Sequence, residues 1–192
     1  MSDSSHRILA SPTGDFYVRR LEEGEIETGW CSMLEHGESN EWRRQHFGPM
    51  DAALLPSLCD RILRSMGGER VTFDDIDLPR GTAFQRAIWR ETRRIRPGLV
   101  RTYGDLAATV GRPAAARAVG QAMRRNPQPI VIPCHRVVSA SGPGGFGGHG
   151  AGGRWSKIKA TLLEAETVDV HRSMKTASVN LICVSSCRSR GH

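Results

Sequence analysis

The sequence predicts an α+β protein, with a small N-terminal antiparallel sheet and helix followed by a mainly helical C-terminal domain that contains a helix-turn-helix. Three observations support this fold class. Extended runs flank a glycine turn within residues 6–34. Helical periodicity with capping signals dominates residues 82–126. The net charge changes sign, from −7 over residues 1–79 (8 Lys and Arg, 15 Asp and Glu) to +13 over residues 80–160 (15 and 2).

Length and composition limit the class of protein. The 192 residues are 39% hydrophobic and 24% charged, which is typical of a globular chain. No apolar run approaches the roughly 20 residues of a membrane helix, and the first residues lack the pattern of a secretory signal. We therefore expect a cytoplasmic protein without membrane contact, nucleoid-associated in a prokaryote. The expected domains are residues 1–78 and 79–166, followed by a disordered tail over residues 167–192.

The N-terminal elements follow from local patterns. The segment FYVRRLEEGEIETGW carries two extended runs around a glycine turn, which predicts a β-hairpin. Residues 35–49 are polar and are expected to be irregular. Residues 51–66 place Leu54, Leu58, Ile62 and Met66 at helical spacing, and residues 71–81 are interpreted as a short extended piece and a linker.

The first C-terminal helix has a clear beginning and end. Thr82 and Gln85 fit a capping box, and Pro97-Gly98 ends the segment. An apolar stripe between these signals predicts which face of the helix is buried, and it consists of Phe84, Ile88, Trp89 and Ile95.

Two shorter helices follow. Residues 102–111 form the first, with Thr102 and Asp105 at capping spacing, and Pro113 is expected in the first turn of the second, which Asn126-Pro127 closes. Two short helices joined by a tight glycine-containing turn are typical of a helix-turn-helix. Together with the basic charge of this half, they favour a nucleic-acid partner over a merely solvated arginine surface.

The segment IPCHRVV, residues 132–138, carries the most reactive pair of side chains. A thiol reacts as the thiolate, and a neighbouring base or positive charge helps to form it. His135 adjoins Cys134, but neighbouring side chains on a strand point to opposite faces, so the backbone must turn there or a water must relay the proton. A carboxylate should orient the imidazole, and Glu164 and Glu166 are both candidates.

Other interpretations of the cysteines carry less support. Cys134 could be a buried structural thiol, as we expect for Cys31 and Cys59. A zinc site from Cys134, His135 and His149 lacks ligand spacing, and the C-x3-C…H pattern of residues 183–192 offers only one arm of such a site. Five cysteines without a signal sequence indicate reduced thiols.

The segment NPQPIVIPCHRVV resembles the active-site signature of the O6-alkylguanine-DNA alkyltransferases (methylated-DNA–protein-cysteine methyltransferases). FQRAIWRETRRIRPGLVRTYGDLA, AAARAVGQAMRRNP, GFGG and K-x-x-L-L-x-x-E follow in the order of that family. The resemblance covers about residues 80–166. It implies an RNase H-like N-terminal domain, no metal and no cofactor, and a monomer that binds double-stranded DNA containing alkylated bases.

The resemblance also implies roles for the reactive residues. Cys134 would accept the alkyl group from O6-alkylguanine, with O4-alkylthymine as a further candidate substrate. His135 would accept the thiol proton through a water, Glu166 would orient His135, and Asn126 would brace the turn before the active-site strand. Because the cysteine is not regenerated, the protein would act once.

The remaining assignments concern DNA and the substrate pocket. Arg117 would fill the stack that the flipped base vacates, and Tyr103 would rotate the nucleotide, with Thr102 and Arg124 as further DNA contacts. The substrate pocket would be formed by the backbone of Val137 together with Phe146 and Lys159. The glycine-rich loop 139–153 is longer than the family's usual segment, which leaves the substrate range open.

Three other functions compete with alkyl transfer. A lesion sensor of the same family would bind alkylated DNA without acceptor activity, although such proteins replace the acceptor cysteine that this chain has. A helix-turn-helix regulator would prefer a sequence in undamaged DNA, and a cysteine hydrolase would turn over an ester.

Overall fold

The computed structural model of the chain describes residues 4–34, 39–140, 142 and 153–167. The N-terminal elements are strands β1 (Ser5–Leu9), β2 (Phe16–Arg20) and β3 (Ile26–Trp30) and helices α1 (Asn40–Phe47) and α2 (Pro56–Met66). The C-terminal elements are helix α3 (Ala83–Arg93), strand β4 (Arg101–Thr102), helices α4 (Tyr103–Thr109) and α5 (Ala116–Arg124), a 3-10 turn (Cys134–Arg136), strand β5 (Val137–Val138) and helix α6 over residues 154–167.

The N-terminal strands form an antiparallel sheet in the order β1-β2-β3. Phe16 pairs with Leu9 on one side and with Trp30 on the other, so the apolar side chains of the three strands meet at one end of the sheet. Gly24, at φ 78°, occupies the left-handed region in the turn between β2 and β3, where only glycine is free of strain. The predicted hairpin is confirmed, and β1 adds a third strand to it.

One hydrophobic core joins the N-terminal region to the C-terminal one. Phe16, Trp30 and Ile62 pack in it together with Ile130 and Val131, which lead to the active-site turn, and with the apolar face of α6. Burial of large apolar side chains is the main stabilising term in folding. The sheet and α2 therefore stabilise the segment that carries Cys134.

A second core lies between α3, α4 and α5. Ile88 and Trp89 of α3 are buried against Leu106 and Val119, and the indole of Trp89 donates to the carbonyl of Ala122 at 3.0 Å. Both predicted capping boxes, at the beginnings of α3 and α4, are present. Helices α4 and α5 pack against each other, while their correspondence to a DNA-binding helix-turn-helix stays a prediction.

Two N-terminal expectations were wrong. Residues 35–49 contain helix α1, which Ser39 caps by accepting from the backbone N–H of Trp42 and which Phe47 anchors in a small apolar cluster. The apolar period of α1 is too short to be visible in the sequence. The helix predicted over residues 51–66 begins only at Pro56, because Leu55 has φ 45° and proline occupies the first helical position, where it needs no N–H.

Two further boundaries differ from prediction. Pro113 does not open α5, because it lies in a turn closed by the Ala115 N–H bond to the Arg112 carbonyl, and the helix begins at Ala116. Residues 71–81 contain no strand, although Phe73 is buried in the first core. Residues 71–81 were expected only to link the two domains, but Phe73 packs them into the first hydrophobic core.

The remaining expectations fall at the C-terminal end. The helix predicted over residues 154–166 is confirmed as α6. Phe146, most of the loop 139–153, and residues 168–192 with their two cysteines lie outside the described residues. Across the part of the chain that the structure describes, the helices are all too short or too polar to cross a membrane.

Candidate active site

The backbone turns at Cys134. Buried residues lead to Pro133, the 3-10 turn Cys134–Arg136 follows, and the Arg136 N–H closes it on the Pro133 carbonyl at 3.0 Å. A turn at this position was one of the two ways in which His135 could accept the thiol proton, the other being a water relay, and the structure shows the turn. Cys134 itself is half-buried, whereas its neighbours on both sides are buried.

The imidazole of His135 is held by a carboxylate. Its Nε2 lies 2.9 Å from Oε1 of Glu166, and the two side chains are only 2% and 1% exposed. Although burial alone would raise it, the hydrogen bonds and charges of His135 and Arg136 lower the pKa of Glu166 to about 2. An ionised Glu166 can only accept, so we assign the ring proton to Nε2.

The second ring nitrogen of His135 is therefore a free base. Burial lowers the pKa of His135 below its ordinary value, against the opposite effect of Glu166, so the ring is neutral at neutral pH. Its Nδ1 is buried and has no hydrogen-bond partner among the described residues. A neutral imidazole with an unpaired, unprotonated nitrogen beside a thiol is the arrangement that a proton acceptor requires.

Helical phase decides between the two candidate carboxylates. Glu166 is buried on the face of α6 that carries Ile158, Lys159 and Leu162, whereas Glu164 is exposed. Residues four and seven apart share a helix face. Glu166 is therefore the partner of His135, and Glu164 is not.

Arg136 is a site residue that the sequence analysis missed. Its Nε and Nη2 lie 2.9 and 2.8 Å from Oε1 of Glu166, and its Nη1 donates to the Ile95 carbonyl at 2.7 Å. The Gly98 N–H donates to the other carboxylate oxygen, at 3.1 Å. A buried carboxylate requires a cation, and Arg136 fills that role, but no sequence pattern separates it from the other arginines of this half.

Opposing effects act on the pKa of the Cys134 thiol. Burial raises the pKa of Cys134, while a hydrogen bond from the side chain of Asn126 and the charge of Lys159 act to lower it. The net direction is upward, so the thiol is protonated at neutral pH. Reaction at this sulfur therefore needs a base, and His135 is the nearest candidate along the chain.

Lys159 is buried beneath the turn. Its Nζ donates to the Val137 carbonyl at 2.7 Å, and it is 1% exposed. Burial lowers the pKa of Lys159 to about 8, against the opposite effect of Cys134. The sequence analysis assigned Lys159 and Val137 to one pocket, and the structure brings them together.

Asn126 braces a strained approach to Cys134. Its Nδ2 donates to the Ile132 carbonyl, and its Oδ1 accepts from the Gln128 N–H, both at 2.9 Å. Between them Ile130 has φ 73°, a left-handed conformation that costs energy for a β-branched residue. Such strain persists only where surrounding contacts enforce it, and Asn126 supplies two of them.

The beginning of α4 lies beside the turn. β4 pairs in parallel with β5, with Thr102 opposite Val138, so Tyr103 follows directly from the strand next to the active-site segment. Tyr103 is half-buried, and burial, together with the negative charge that Cys134 carries when it is ionised, raises the pKa of Tyr103. Thr102 uses its hydroxyl as the helix cap, accepting from the Asp105 N–H at 3.1 Å.

The two predicted arginines of α5 point to solvent. Arg117 is the second residue of the helix and Arg124 its last, and both are exposed. The opposite face of α5 is buried through Val119, Ala122 and Met123. The structure thus places both guanidinium groups on the free face of the helix, apart from the Cys134 network.

N-terminal residues brace the same segment from outside. Thr28 of β3 donates through its N–H to the Pro127 carbonyl at 3.0 Å and through Oγ1 to the Pro129 carbonyl at 2.8 Å. Gln128 donates in return to the Ile26 carbonyl at 2.9 Å. These contacts join residues about a hundred positions apart, which sequence patterns within single elements do not indicate.

A metal site finds no support in the described ranges, where no three His, Cys, Asp or Glu side chains come together to hold an ion. Cys31 and Cys59 are buried in the N-terminal region and burial raises the pKa of both thiols, so the expectation of core residues is confirmed for them. His149 lies outside the described residues.

Comparison with known proteins gives consistent matches. Residues 83–168 match the family described as 6-O-methylguanine DNA methyltransferase, DNA binding domain. A methylated-DNA–protein-cysteine methyltransferase of Mycobacterium tuberculosis is 39% identical over 162 residues, which are 84% of this chain and 91% of that protein. The constitutive protein of that name from Bacillus subtilis is 45% identical over 101 residues, 53% of this chain and 59% of that protein.

Solved structures agree with the sequence matches. The crystal structure of M. tuberculosis OGT in complex with DNA superposes with a TM-score of 0.68 at 32% identity, covering 85% of this chain and 93% of that one. The O6-methylguanine-DNA methyltransferase of Pyrococcus kodakaraensis superposes with a TM-score of 0.58 at 24% identity, covering 85% and 98%. The second similarity concerns the fold alone.

Proposed function

The chain belongs to the 6-O-methylguanine DNA methyltransferase family, and from that premise we propose that it repairs DNA by moving the alkyl group of O6-alkylguanine to Cys134 in a single, stoichiometric step. The observation that carries this assignment is the neutral His135 beside the thiol. Its Nε2 is held by Glu166 at 2.9 Å, and its buried Nδ1 has no partner in the described part of the chain.

The proton path follows from these protonation states. The proton of the Cys134 thiol moves to Nδ1 of His135, and one water relays it between Sγ and Nδ1. The imidazolium that forms is stabilised by the adjacent Glu166, which stays ionised because its pKa is about 2. Lys159 and the Asn126 amide stabilise the thiolate, since both lower the pKa of Cys134 against the effect of burial.

The transfer is a displacement at carbon. The thiolate sulfur forms a bond to the alkyl carbon as the carbon–O6 bond breaks, and the bonding electrons pass to the guanine. The proton held by His135 neutralises the departing base, so charge and atoms balance without a cofactor. The thioether product is stable, so Cys134 is not restored and each chain acts once.

DNA engagement uses the basic half of the chain. We propose that α4 and α5 act as a helix-turn-helix and that Arg117, exposed near the beginning of α5, occupies the stack vacated by a flipped guanine. Tyr103, beside the turn, would rotate the nucleotide, with Thr102 and Arg124 as further DNA contacts. The carbonyls of Cys134 and Val137 would bind the exocyclic amine of the guanine.

The broader organisation remains part of the proposal. We propose an RNase H-like domain over residues 1–78 and the DNA-binding and acceptor domain over residues 79–166. The protein would act as a monomer in the cytoplasm, on double-stranded DNA with alkylated bases. A monomer suits this chemistry because every group assigned to the reaction comes from the one chain.

Intact mass measurement tests the proposal. The protein is incubated with excess duplex that carries one O6-methylguanine, and the modified peptide is then mapped. We expect one added methyl group per chain, on Cys134, and none in Cys134→Ser. Cys31→Ser is the matched control, because its buried thiol should leave transfer unchanged. An unmodified wild-type protein that still prefers the lesioned duplex would indicate a lesion sensor instead.

A further inference from the structure

A cavity lies beside the active-site segment. It has a volume of about 430 Å³ and is bounded by residues 70–74, by the end of α3 with residues 94–97, and by Ile130, Val131, Pro133 and Arg136. Its apolar walls include Ile95, Val131 and Pro133. The reacting pair, Cys134 and His135, is not part of this lining, and Arg136 is the lining residue that also contacts Glu166.

The cavity is strongly cationic. Five arginines line it, against one acidic residue, Asp74, and they are Arg70, Arg93, Arg94, Arg96 and Arg136. Glu166 and Glu91 neutralise two of the five, Arg136 and Arg94. Arg70 and Arg96 form no ion pair with any residue that the structure describes, so the cavity keeps an excess of positive charge.

Arg93 adds donors that the fold leaves unsatisfied. Its Nη1 donates to the Phe73 and Ile76 carbonyls, at 3.2 and 2.6 Å. Its Nε and Nη2 are buried and have no hydrogen-bond acceptor within the described ranges. Buried donors nearly always have a partner, and unsatisfied ones cost free energy, so these two nitrogens indicate an acceptor that the polypeptide itself does not provide.

The proposed DNA-binding helices do not line the cavity. Among the described residues its lining comes from residues 70–74, from residues 93–97 and from the segment around Cys134, and none of it belongs to α4 or α5. Arg93, at the end of α3, donates to the carbonyls of Phe73 and Ile76. A duplex bound through α5 would therefore contact residues other than those of the cavity.

We propose that this cavity is a binding site for a phosphate group carried by a small molecule. Guanidinium groups bind phosphate through paired, charge-assisted hydrogen bonds, and Arg70, Arg93 and Arg96 offer donors on different walls. The volume is sufficient for a small phosphate ester. Because Pro133 and Arg136 belong to the same wall, occupancy would also hold the segment on both sides of Cys134.

Calorimetric titration of the full chain with inorganic phosphate, and then with AMP, at constant ionic strength, tests this site. We expect saturable binding of one ligand per chain. Arg70→Gln and Arg96→Gln should each raise Kd about tenfold, the effect of losing one charge-assisted hydrogen bond. Arg44→Gln is the matched control, because Arg44 is an exposed arginine on α1. Its Kd should equal that of the wild type.

Two results would overturn the proposal: heat that never saturates, or equal weakening in all three variants, which would mean nonspecific charge attraction. A further titration in the presence of saturating undamaged duplex identifies the source of the phosphate. An unchanged Kd means that a soluble compound occupies the cavity. Competition by the duplex would contradict the proposal, because it would mean that the DNA backbone and not a soluble compound occupies the cavity.

Discussion

The acidic N-terminal region, residues 4–78, and the basic C-terminal region, residues 79–167, share one core but contribute different things to Cys134. Every described side chain whose hydrogen bond or charge acts on the thiol or on its base belongs to the basic region, including Asn126, Arg136 and Lys159. The acidic region contributes Thr28, which binds the approach to the turn, and core side chains that pack beneath it.

The difference shows that reactivity and support are separated along the chain. The proton path depends on charges and hydrogen bonds of a few neighbouring side chains. The support depends on the hydrogen bonds of Thr28 in β3 and on apolar packing against β3 and α2. We therefore expect substitutions in the basic region to change the transfer rate, and substitutions in the acidic region to change mainly the free energy of unfolding.

The largest expected effect is that of Glu166→Gln. The change removes the charge that balances Arg136 and His135, so it should cost about 3–5 kcal/mol of unfolding free energy near neutral pH. It also removes the control of the His135 tautomer, and the transfer rate should fall at least about 100-fold. Urea denaturation and single-turnover transfer measure the two effects.

Glu164→Gln is the control for this comparison, since Glu164 is exposed two residues away and should change neither quantity. The pH dependence gives a second check. The folded-state pKa of Glu166 is lowered from 4.5 to about 2, so its stabilising effect is present above pH 4.5 and is lost as the pH falls toward 2. A stability difference between wild type and Glu166→Gln that persists at pH 2 would contradict the assignment.

Gly68→Ala should have the next largest effect. Gly68 has φ +90°, and an added Cβ would lie 2.3 Å from the Ala165 carbonyl oxygen, directly before Glu166. Backbone strain and the displaced end of α6 should cost about 3 kcal/mol of stability. Thermal and urea unfolding measure it, and Gly67→Ala, at an ordinary negative φ, should be clearly milder. Equal losses in both variants would mean that the close approach is unimportant.

The smallest effect is expected for Thr28→Val. The change keeps the shape but removes the 2.8 Å hydrogen bond to the Pro129 carbonyl, so it should cost about 1–2 kcal/mol. Transfer by the fully folded protein should stay within about twofold of wild type, because Thr28 does not contact Cys134 or His135. A rate loss comparable to that of Glu166→Gln would mean that the acidic region takes part in the chemistry.

Capping signals and helical periodicity in the sequence correctly predicted the elements that depend on contacts between residues close in sequence. Thr82 and Thr102 cap their helices as their spacing indicated, and α6 has the phase that brings Glu166 to His135. Helix α1 was missed because its apolar residues are too few to establish a period. The turn at Pro113 was misassigned because proline suits both the first turn of a helix and the turn before it.

Long-range contacts could not be predicted from such signals. Arg136 carries no pattern that distinguishes it from the other arginines of the basic half, and its role depends on where Ile95 and Glu166 meet in the fold. The bond between Thr28 and Pro129 likewise depends on tertiary packing alone. The roles of Arg136 and Thr28 therefore become visible only in the folded structure. The roles of Cys134 and His135, in contrast, could be predicted because the two residues are adjacent in the sequence.

The pH dependence of the single-turnover transfer rate tests the central claim most directly, that a neutral His135 takes the proton of Cys134. The pKa of His135 is lowered from 6.5 and Lys159 loses its charge above its pKa of about 8, so the wild-type rate should be nearly constant between these two values and fall on the acid side of 6.5. His135→Gln should instead show a rate that rises with pH toward the raised pKa of the thiol. A wild-type rate that climbs about tenfold per pH unit across neutrality would contradict the account, because the thiol would then ionise without a base.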